Sequence, residues 1–297
     1  MKKCGYIAII GCPNVGKSTL LNYILQHKVS ITTRKPQTTR HRITGIKTDH
    51  NTQFIYLDTP GLHQSTPRAI NHVMNQQAES VISDVDVILF VVALNHYSDE
   101  DQWILEKVQS TTTPVILVIN KVDQLNNRDD AEKFADKIMA KHRFSEVFLV
   151  SAKQGHCISA LEDKIAALLP ESDHFLFAED QLSDRSERFM VAEIIREKLM
   201  RTLGQEVPYQ LTVEIQSYHH NKTKNLLEIE AIILVERSGQ KAMIIGKKGQ
   251  KLKEIGTNAR YDIEKLLTKK VFLRLWVKVK EGWSDDIRAL RSLGYYD

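Results

Sequence analysis

Residues 11–22 read GCPNVGKSTLLN and directly follow an apolar run. Two glycines, a lysine and a serine in this stretch have the Gly-x4-Gly-Lys-Ser spacing of a loop that holds nucleotide phosphates. The glycines let backbone N–H groups face phosphate oxygens, while the lysine and the N-terminus of the next helix supply positive charge. The alternative is an ordinary glycine turn into a helix. We expect nucleotide contacts from Gly11, Cys12, Pro13, Asn14, Val15, Gly16, Lys17, Ser18 and Thr19.

A second stretch, DTPGL, follows another apolar run and begins with a carboxylate. The Asp58 carboxylate and the Ser18 hydroxyl are the kind of oxygen ligands that Mg²⁺ prefers. Gly61 can bring its N–H close to a terminal phosphate because it has no side chain. This stretch alone is a common turn, and it indicates a metal and phosphate site only in combination with the phosphate loop. The nucleotide contacts expected from it are Asp58, Thr59, Pro60, Gly61 and Leu62.

The stretch NKVD at residues 120–123 predicts which base is bound. Guanine presents two adjacent donors that the Asp123 carboxylate can accept together, whereas adenine presents an acceptor that this carboxylate would repel. The Lys121 stem can lie over the purine ring, and Asn120 can brace neighbouring loops. Backbone N–H groups of the later SAK stretch can meet the guanine carbonyl. The alternative for both stretches is a solvated turn. The expected contacts are Asn120, Lys121, Val122, Asp123, Ser151, Ala152 and Lys153.

These four stretches, in this order, resemble the G domain of Ras-like GTPases. The resemblance implies that GTP and GDP are the ligands, that Mg²⁺ is a cofactor, and that residues 30–41 form a switch loop. A threonine of that loop would join Mg²⁺ in the GTP state; Thr39 is our choice, and Thr38 is the competitor. The metal ligands are then Ser18, Thr39 and Asp58, and the residues assigned to catalysis are Lys17, Thr39 and Gly61.

The elements that must position these residues alternate between strands and helices up to about residue 169. Continuous apolar runs at 6–10, 85–94, 115–119 and 147–150 predict buried parallel strands, with helices predicted at 17–26, 99–110, 129–141 and 158–168. Residues 42–47 and 53–58 flank a short polar turn and predict a hairpin, which makes one strand antiparallel. The predicted fold class is α/β, a P-loop domain with a mostly parallel sheet.

The positive charge of the chain is concentrated in its C-terminal third. Residues 204–280 hold 15 Lys and Arg against 8 Asp and Glu, although the whole chain carries only +4. Such a region is where a polyanion would bind. The elements predicted here run α-β-β-α-α-β, with Asp184 beginning the first helix, and they are enough for a small α+β domain. Phe272 and Trp276 alternate on the last strand, and we expect both in the core rather than as platforms on which bases stack.

A GxxG loop lies between two helical segments of this region, in the sequence IIGKKGQKL. In KH domains such a loop clamps about four nucleotides of a single strand, because glycines permit close approach of the sugar–phosphate backbone. The alternative is a basic turn on a solvated surface; the element order and the local charge favour RNA. The expected RNA contacts are Gly246, Lys247, Lys248, Gly249, Lys241 and Lys251.

One P-loop G domain followed by a KH-like domain resembles the TrmE–Era group of GTPases over nearly the whole chain. The motifs that carry the resemblance are GCPNVGKS, QTTRHR, DTPGL, NKVD, SAK and IIGKKG. It implies a GTPase domain at residues 1–171, a linker at 172–183 and a type II KH domain with a C-terminal helix at 184–297. It also implies a switch protein that binds the 3′ end of small-subunit ribosomal RNA and acts in small-subunit assembly. The resemblance further implies that the protein is a monomer in the cytoplasm that contacts the inner membrane peripherally.

The hydrolysis step is expected to be slow in the isolated protein. In many Ras-like GTPases a glutamine directly after the Asp58–Gly61 motif orients the attacking water, but Leu62 stands there in this chain, followed by His63 and Gln64. A ribosomal partner or a monovalent cation would complete the site. The counterpart of Asn14 in the TrmE–Era group can ligate potassium, so K⁺ is a further candidate cofactor; the alternative is that Asn14 only braces the loop.

Two other functional classes stay open on the sequence. One is a scaffold or transport-type switch whose second domain binds protein, although the single P-loop and the intact GKKG argue against it. The other is an ATP-using kinase, which NKVD argues against. Composition is that of a globular protein, no apolar stretch reaches 18 residues, and the three cysteines form no C-x-x-C pair, which favours a reducing compartment.

Overall fold

The computed structural model describes residues 1–62, 68–124, 128–204 and 210–296 of the chain. His63 and Gln64, the residues that follow Leu62, lie outside the described residues. The chain divides into two compact units, which we call the N-terminal unit (Met1–Pro67 and Asn71–Asp184) and the C-terminal unit (Arg68–Ile70 and Arg185–Asp297). No helix within the described residues is long and apolar enough to cross a membrane.

The N-terminal unit is built on a mostly parallel sheet, as the continuous apolar runs predict. Strand order within the described residues is β2-β3-β1-β4-β5-β6, and β7 pairs with β1. Among the strands that the structure describes in this sheet, only β2 and β7 run antiparallel to their neighbours, so the predicted hairpin is confirmed. The strands are β1 (Lys2–Ile10), β2 (Ile43–Asp49), β3 (Thr52–Asp58), β4 (Val87–Ala93), β5 (Val115–Asn120), β6 (Glu146–Leu149) and β7 (Glu171–Ser172).

Helices cover this sheet and begin close to the predicted positions. They are α1 (Lys17–Leu25), α2 (Ala69–Ile82), α3 (Asp99–Gln109), α4 (Arg128–Met139) and α5 (Ile158–Leu168). The sequence did not predict α2, because its apolar residues are separated by polar ones and no cap or glycine marks its ends. Met74, Ala78 and Val81 nevertheless fall three to four residues apart, Val73 lies beside Met74, and all four are buried.

The C-terminal unit has the predicted α-β-β-α-α-β order. Strand β9 lies in the centre of its sheet, antiparallel to β8 and parallel to β10. Alternate residues of β9 (Leu227, Ile229, Ala231, Ile233 and Val235) enter the hydrophobic core under the helices. The elements are α6 (Glu187–Thr202), β8 (Leu211–Asn221), β9 (Leu226–Val235), α7 (Ser238–Ile245), α8 (Gln250–Leu267), β10 (Lys270–Val279) and α9 (Ile287–Ser292).

Two local expectations for this part of the chain are wrong. Helix α6 begins at Glu187 and not at Asp184, because the hydroxyl of Ser186 accepts the hydrogen bond from the Phe189 N–H that caps the helix. Phe272 and Trp276 are not in the core; their exposed fractions are 45% and 57%. Among the described residues, the helices pack on the face of this sheet that Val271 and Val277 share, and these two side chains lie on the other face.

The segment predicted as a linker, residues 172–183, is attached to the N-terminal unit. The buried Gln53 side chain of β3 accepts hydrogen bonds from the N–H groups of Leu176 and Phe177 and donates to the Phe177 carbonyl. Farther along, the Ile46 N–H of β2 donates to the Leu182 carbonyl at 2.9 Å. These bonds give the segment a defined course, which its polar composition did not indicate.

Candidate functional site

The phosphate loop joins β1 to α1, with Gly16 as the residue before the helix. Gly16 has φ 103°, and a Cβ there would lie 2.2 Å from the Asn120 amide nitrogen, so only glycine fits. The Lys17 ammonium group donates to the carbonyls of Gly11 and Cys12, at 2.9 Å each. Burial lowers the pKa of Lys17, and a bound phosphate would favour its charged form. The loop therefore already holds its cation beside the place where phosphates would lie.

A cluster of oxygen atoms lies beside this loop. The Ser18 hydroxyl is 2.8 Å from the Thr39 hydroxyl and donates to Asp58 Oδ2 at 2.6 Å. Thr38, the competing threonine, instead donates to the Lys35 carbonyl and contacts the Thr33 hydroxyl. The structure thus brings the three predicted metal ligands together and turns the alternative threonine away from them.

The Asp58 carboxylate gives a test of whether Mg²⁺ fits this cluster. Asp58 is fully buried, and its Oδ1 atom has no hydrogen-bond partner among the described residues. Burial raises the pKa of the Asp58 carboxyl, while the hydrogen bond from Ser18 and the charge of Lys17 act in the opposite direction. A buried carboxylate oxygen without a donor, next to two hydroxyls, has the hard-oxygen chemistry that Mg²⁺ requires. The residues fit the ion.

Two further residues hold this cluster of oxygen atoms, and the sequence pointed to neither. The Ser30 hydroxyl donates to the same Asp58 oxygen, Oδ2, at 3.0 Å. Asn22, on α1, accepts from the N–H groups of Val29 and Ser30 and donates to the Ser30 carbonyl at 2.7 Å. Asn22 is the last letter of GCPNVGKSTLLN, but only the folded chain shows that it ties α1 to the start of the predicted switch loop.

The predicted base-binding residues lie at the ends of β5 and β6. Asn120 Nδ2 donates to the Val15 carbonyl of the phosphate loop, and Asn120 Oδ1 accepts from the N–H groups of Lys121 and Ala152. The Asp123 carboxylate accepts from the Ser151 hydroxyl at 2.7 Å, which fixes its direction. Because parallel strands end at one edge of the sheet, these side chains meet there, as they do in other open α/β sheets that bind ligands.

Two of the three backbone N–H groups of the SAK stretch have partners inside the protein. Those of Ser151 and Ala152 donate to the His156 carbonyl and to Asn120 Oδ1. The expected contact of this stretch with a guanine carbonyl stays a prediction, with Lys153 as the residue that would make it. Ser151 is fully buried and acts through Asp123. In this stretch, Ala152 and Lys153 line the cavity described next.

A cavity of about 570 Å³ connects the phosphate end to the base end. Gly61 borders it in close contact with the phosphate loop; a Cβ there would lie 2.7 Å from the Pro13 ring. Leu62 is fully buried and points away from solvent. The predicted residues that line the cavity are Pro13, Asn14, Gly16, Lys17, Ser18, Thr19, Thr39, Gly61, Asn120, Lys121, Asp123, Ala152 and Lys153. Those set behind it are Gly11, Cys12, Val15, Asp58, Thr59, Pro60, Leu62, Val122 and Ser151.

The GxxG loop joins α7 to α8 and projects its lysines into solvent. Gly246, Lys248 and Gly249 all have positive φ, at 71°, 51° and 76°. The Lys241, Lys247 and Lys248 side chains are exposed, and Lys251 is half-buried. This turn gives a short stretch of backbone that a polymer can approach closely, with cations around it. Five of the six predicted RNA contacts therefore lie on or next to this loop, and Lys241 lies on α7, the helix that precedes it.

Comparison with known protein families identifies each unit separately. Residues 6–121 match a family described as 50S ribosome-binding GTPase, and residues 206–284 match the KH domain family. The first range contains the phosphate loop, Asp58 and Asn120, and the second contains the GxxG loop.

Individual relatives cover nearly the whole chain. The GTPase Era of Pseudomonas entomophila is 54% identical over 295 residues, which are 99% of this chain and 97% of the relative. The GTPase Era of Pseudomonas fluorescens is 55% identical over 296 residues with the same coverage. Among solved structures, an Aquifex aeolicus Era variant bound to GDP and AlF4⁻ has a TM-score of 0.95 and 39% identity. Era in complex with MgGDPNP and nucleotides 1506–1542 of 16S ribosomal RNA has a TM-score of 0.96 and 40% identity. Both structures cover 99% of this chain and match over 99% of their own length.

Proposed function

The chain belongs to the Era family of GTPases, and on that premise we propose that it couples GTP hydrolysis to binding of the 3′ end of small-subunit ribosomal RNA during small-subunit assembly. The GTPase activity belongs to the family, and the KH domain is its RNA-binding module. The Era structure solved with nucleotides 1506–1542 of 16S ribosomal RNA supports the choice of RNA.

The observation that carries the RNA proposal is the GxxG loop. Its backbone at positive φ and its exposed Lys247 and Lys248 fit the sugar–phosphate backbone of a single strand. The surrounding region supplies further positive charge, with 15 Lys and Arg against 8 Asp and Glu over residues 204–280. A protein-binding second domain would not require a loop of this geometry and charge.

For the nucleotide, we assign guanine selection to Asp123 and phosphate binding to Lys17 and the surrounding loop. Asp123 lines the cavity, and Ser151 holds its carboxylate in one direction. Ser18, Thr39 and Asp58 would hold Mg²⁺, which when bound stabilises the negative charge of the phosphates. Gly61 lines the cavity, and its N–H would meet the terminal phosphate. An ATP-using kinase is disfavoured because the carboxylate of Asp123 would repel the acceptor edge of adenine.

We expect slow hydrolysis in the isolated protein because water has no residue to orient it at the usual position. Leu62 is fully buried and apolar, so it cannot take that role. Asn14 lines the cavity with its side chain exposed, which makes it the residue that would contribute to a potassium site.

The same proposal extends to the organisation and location of the protein. We place the GTPase domain at residues 1–171, the connecting segment at 172–183 and the KH domain at 184–297. We further propose a monomer that works in the cytoplasm and contacts the inner membrane peripherally; the resemblance to the TrmE–Era group supports this part.

The test of the RNA proposal is a charge reversal on the GxxG loop. The double variant Lys247→Glu, Lys248→Glu is compared with Lys133→Glu, Lys137→Glu, which reverses two exposed lysines of α4 in the N-terminal unit. Fluorescence anisotropy of a labelled 12-nucleotide RNA from the small-subunit 3′ end is measured with a GTP analogue present. Loss of two phosphate contacts should weaken binding at least about tenfold and reduce the salt slope by about 1 for each lysine.

The α4 variant should bind within about twofold of the wild type. Guanidine unfolding of each variant checks that the fold is retained, since all four lysines are exposed. Equal RNA affinity in the loop variant and the wild type would refute the RNA site.

A further inference from the structure

Strand β10 presents alternating basic and aromatic side chains on the side of the sheet opposite the core. We call this set, Lys270, Phe272, Arg274, Trp276 and Lys278, the outer face of β10; all five side chains are exposed. The intervening residues Val271, Leu273, Leu275 and Val277 pack on or against the core. Strand periodicity alone puts the five on one face, because successive side chains point to opposite sides.

Core packing does not account for the two aromatic rings. Phe272 and Trp276 are 45% and 57% exposed, and each faces away from the helices that cover the sheet. Large exposed aromatic side chains on one strand leave apolar area in water that a contact would bury. The edge position of β10, which pairs only with β9 within the described residues, leaves its other side open to an incoming chain.

The chemistry of the outer face fits single-stranded nucleic acid. Bases stack on aromatic rings whatever their sequence, and lysine or arginine side chains beside the rings meet the phosphates. Phe272 and Trp276 are four residues apart on a strand, or about 13 Å. That separation far exceeds the ~3.4 Å rise of stacked neighbouring bases. The two rings would therefore hold bases that are splayed apart, which is how proteins recognise unpaired RNA.

The charged residues next to the outer face of β10 determine which path an RNA backbone would follow. On β9, Glu228 and Glu230 are the register partners of Phe272 and Arg274. Arg274 donates to Glu230 at 2.9 Å, and its guanidinium lies 5.1 Å from the centre of the Phe272 ring. This ion pair is exposed on both sides, so it contributes little to stability. The carboxylates on β9 repel phosphates and leave the open edge of β10, with Lys270 and Lys278, as the favourable course.

The helix that follows the GxxG loop packs against the inner side of β10, which brings the loop and the edge of β10 into one region of the C-terminal unit. Gly256 of α8, the helix that begins directly after the loop, lies against the inner side of β10; a Cβ on it would be 3.4 Å from a Leu275 methyl. A strand that leaves the loop along α8 meets the edge of β10 and, once past it, the outer face. We propose that RNA extending beyond the GxxG loop crosses this edge and places two unstacked bases on Phe272 and Trp276. This inference rests on the proposed binding of RNA by the GxxG loop.

The test compares two RNA lengths on variants that remove the rings but keep apolar side chains. The affinity of the double variant Phe272→Leu, Trp276→Leu is measured for two RNAs from the small-subunit 3′ end. The 4-nucleotide RNA contains only the stretch that the GxxG loop would bind, and the 12-nucleotide RNA contains that stretch at one end. Stacking of one base on a ring should account for at least about fivefold in affinity. We expect the 12-mer to bind the double variant at least about 25-fold more weakly than the wild type, with the 4-mer unchanged.

Three controls make the result specific. Tyr261→Leu removes another exposed ring, on α8, and should leave both affinities unchanged. Trp276→Phe keeps a ring and should retain most of the 12-mer affinity. Trp276 fluorescence, taken as the difference between the wild type and Trp276→Leu, should be quenched by the 12-mer and not by the 4-mer.

The outcomes separate this inference from the proposed function. If the wild type binds neither RNA, the proposed function fails; if it binds both and the double variant binds the 12-mer equally well, only the inference fails. If the double variant keeps RNA binding but no longer sediments with phosphatidylglycerol vesicles, the face binds membrane and the inference is overturned. Retained RNA binding with weaker binding to RNA-free ribosomal proteins would overturn it in favour of a protein partner.

Discussion

Asn120 places one amide group between three loops of the nucleotide cavity. Its nitrogen holds the phosphate loop at Val15, and its oxygen holds the N–H groups of Lys121 and Ala152. A carboxylate could not donate to the Val15 carbonyl, and a leucine could make none of the three bonds. The amide side chain at this position therefore makes the phosphate end and the base end one rigid site.

Asn14 carries the prediction that belongs to the residue scale. Its φ of 63° suits asparagine or glycine and would strain alanine, so Asn14→Gly removes the side chain without backbone strain. If the side-chain oxygen helps to hold a potassium ion beside the phosphates, single-turnover GTP hydrolysis should be at least about fivefold faster in KCl than in NaCl of equal ionic strength, or about 1 kcal/mol in the barrier. Asn14→Gly should remove that difference.

Asn225→Gly is the matched control for this experiment. Asn225 is also exposed and has φ 44°, but it lies in the turn between β8 and β9. It should keep the wild-type response to potassium. Equal wild-type rates in the two salts would eliminate the cation, and fast hydrolysis in NaCl would contradict the view that Leu62 leaves the site incomplete.

At the scale of elements, one glutamine attaches a long irregular segment to the parallel sheet. Gln53 on β3 is fully buried and makes hydrogen bonds to Leu176, Phe177 and Thr48. Replacing it by leucine keeps the volume but removes the acceptor of two backbone N–H groups. A buried donor left without a partner costs about 1–3 kcal/mol, and less when water can reach it; the Leu176 and Phe177 N–H groups are partly buried. We expect Gln53→Leu to lower the free energy of unfolding by about 1–3 kcal/mol.

Urea unfolding measures that loss, and hydrogen exchange locates it. Amides of residues 174–178 should exchange faster in Gln53→Leu than in the wild type. Gln109→Leu, on the surface of α3, replaces a glutamine with one exposed hydrogen bond to the Lys141 carbonyl and should change stability by no more than about 0.5 kcal/mol. A Gln53→Leu variant as stable as this control would show that the segment is held by other contacts.

Sequence and structure agree where a feature depends on neighbouring residues, and they differ where it depends on residues far apart in the chain. Ligand motifs such as the phosphate loop are contiguous, so spacing and neighbouring apolar runs identify them, and Ser18, Thr39 and Asp58 do meet. Ser30 and Gln53 could not be identified, because their partners lie 28 and more than 120 residues away. Alternation put Phe272 and Trp276 on one face of a strand, but it does not tell which face the helices cover.

At the scale of the whole molecule, the cations that would bind RNA are exposed, whereas the cation that would bind the nucleotide is buried. The excess of Lys and Arg lies in residues 204–280 and includes the exposed Lys247 and Lys248 of the GxxG loop, while the nucleotide cation Lys17 is buried. Salt screens exposed charges strongly and buried ones much less. Binding of RNA and binding of GTP should therefore respond differently to ionic strength in one and the same protein.

The expected sizes follow from counterion release. Three or four neutralised phosphates of a single strand should weaken RNA binding about 20- to 50-fold between 50 and 200 mM salt. GTP affinity, measured with a fluorescent GTP analogue at saturating Mg²⁺, should change by less than about threefold over the same range. Parallel salt dependences for the two ligands would contradict the assignment of RNA to the basic surface.

Strand β2 is the outermost strand of its sheet, and the connecting segment lies along it. Ile46 donates to the Leu182 carbonyl, the Ser183 hydroxyl donates to the Thr44 carbonyl, and Gly45 pairs with Ser183. An open strand edge is a template on which another chain can add, and covering it prevents such pairing. Detachment of residues 182–183, by proteolysis or by mutation, would uncover that template. The stretch that leads from one unit to the other thus also protects the protein from self-association and aggregation at high concentration.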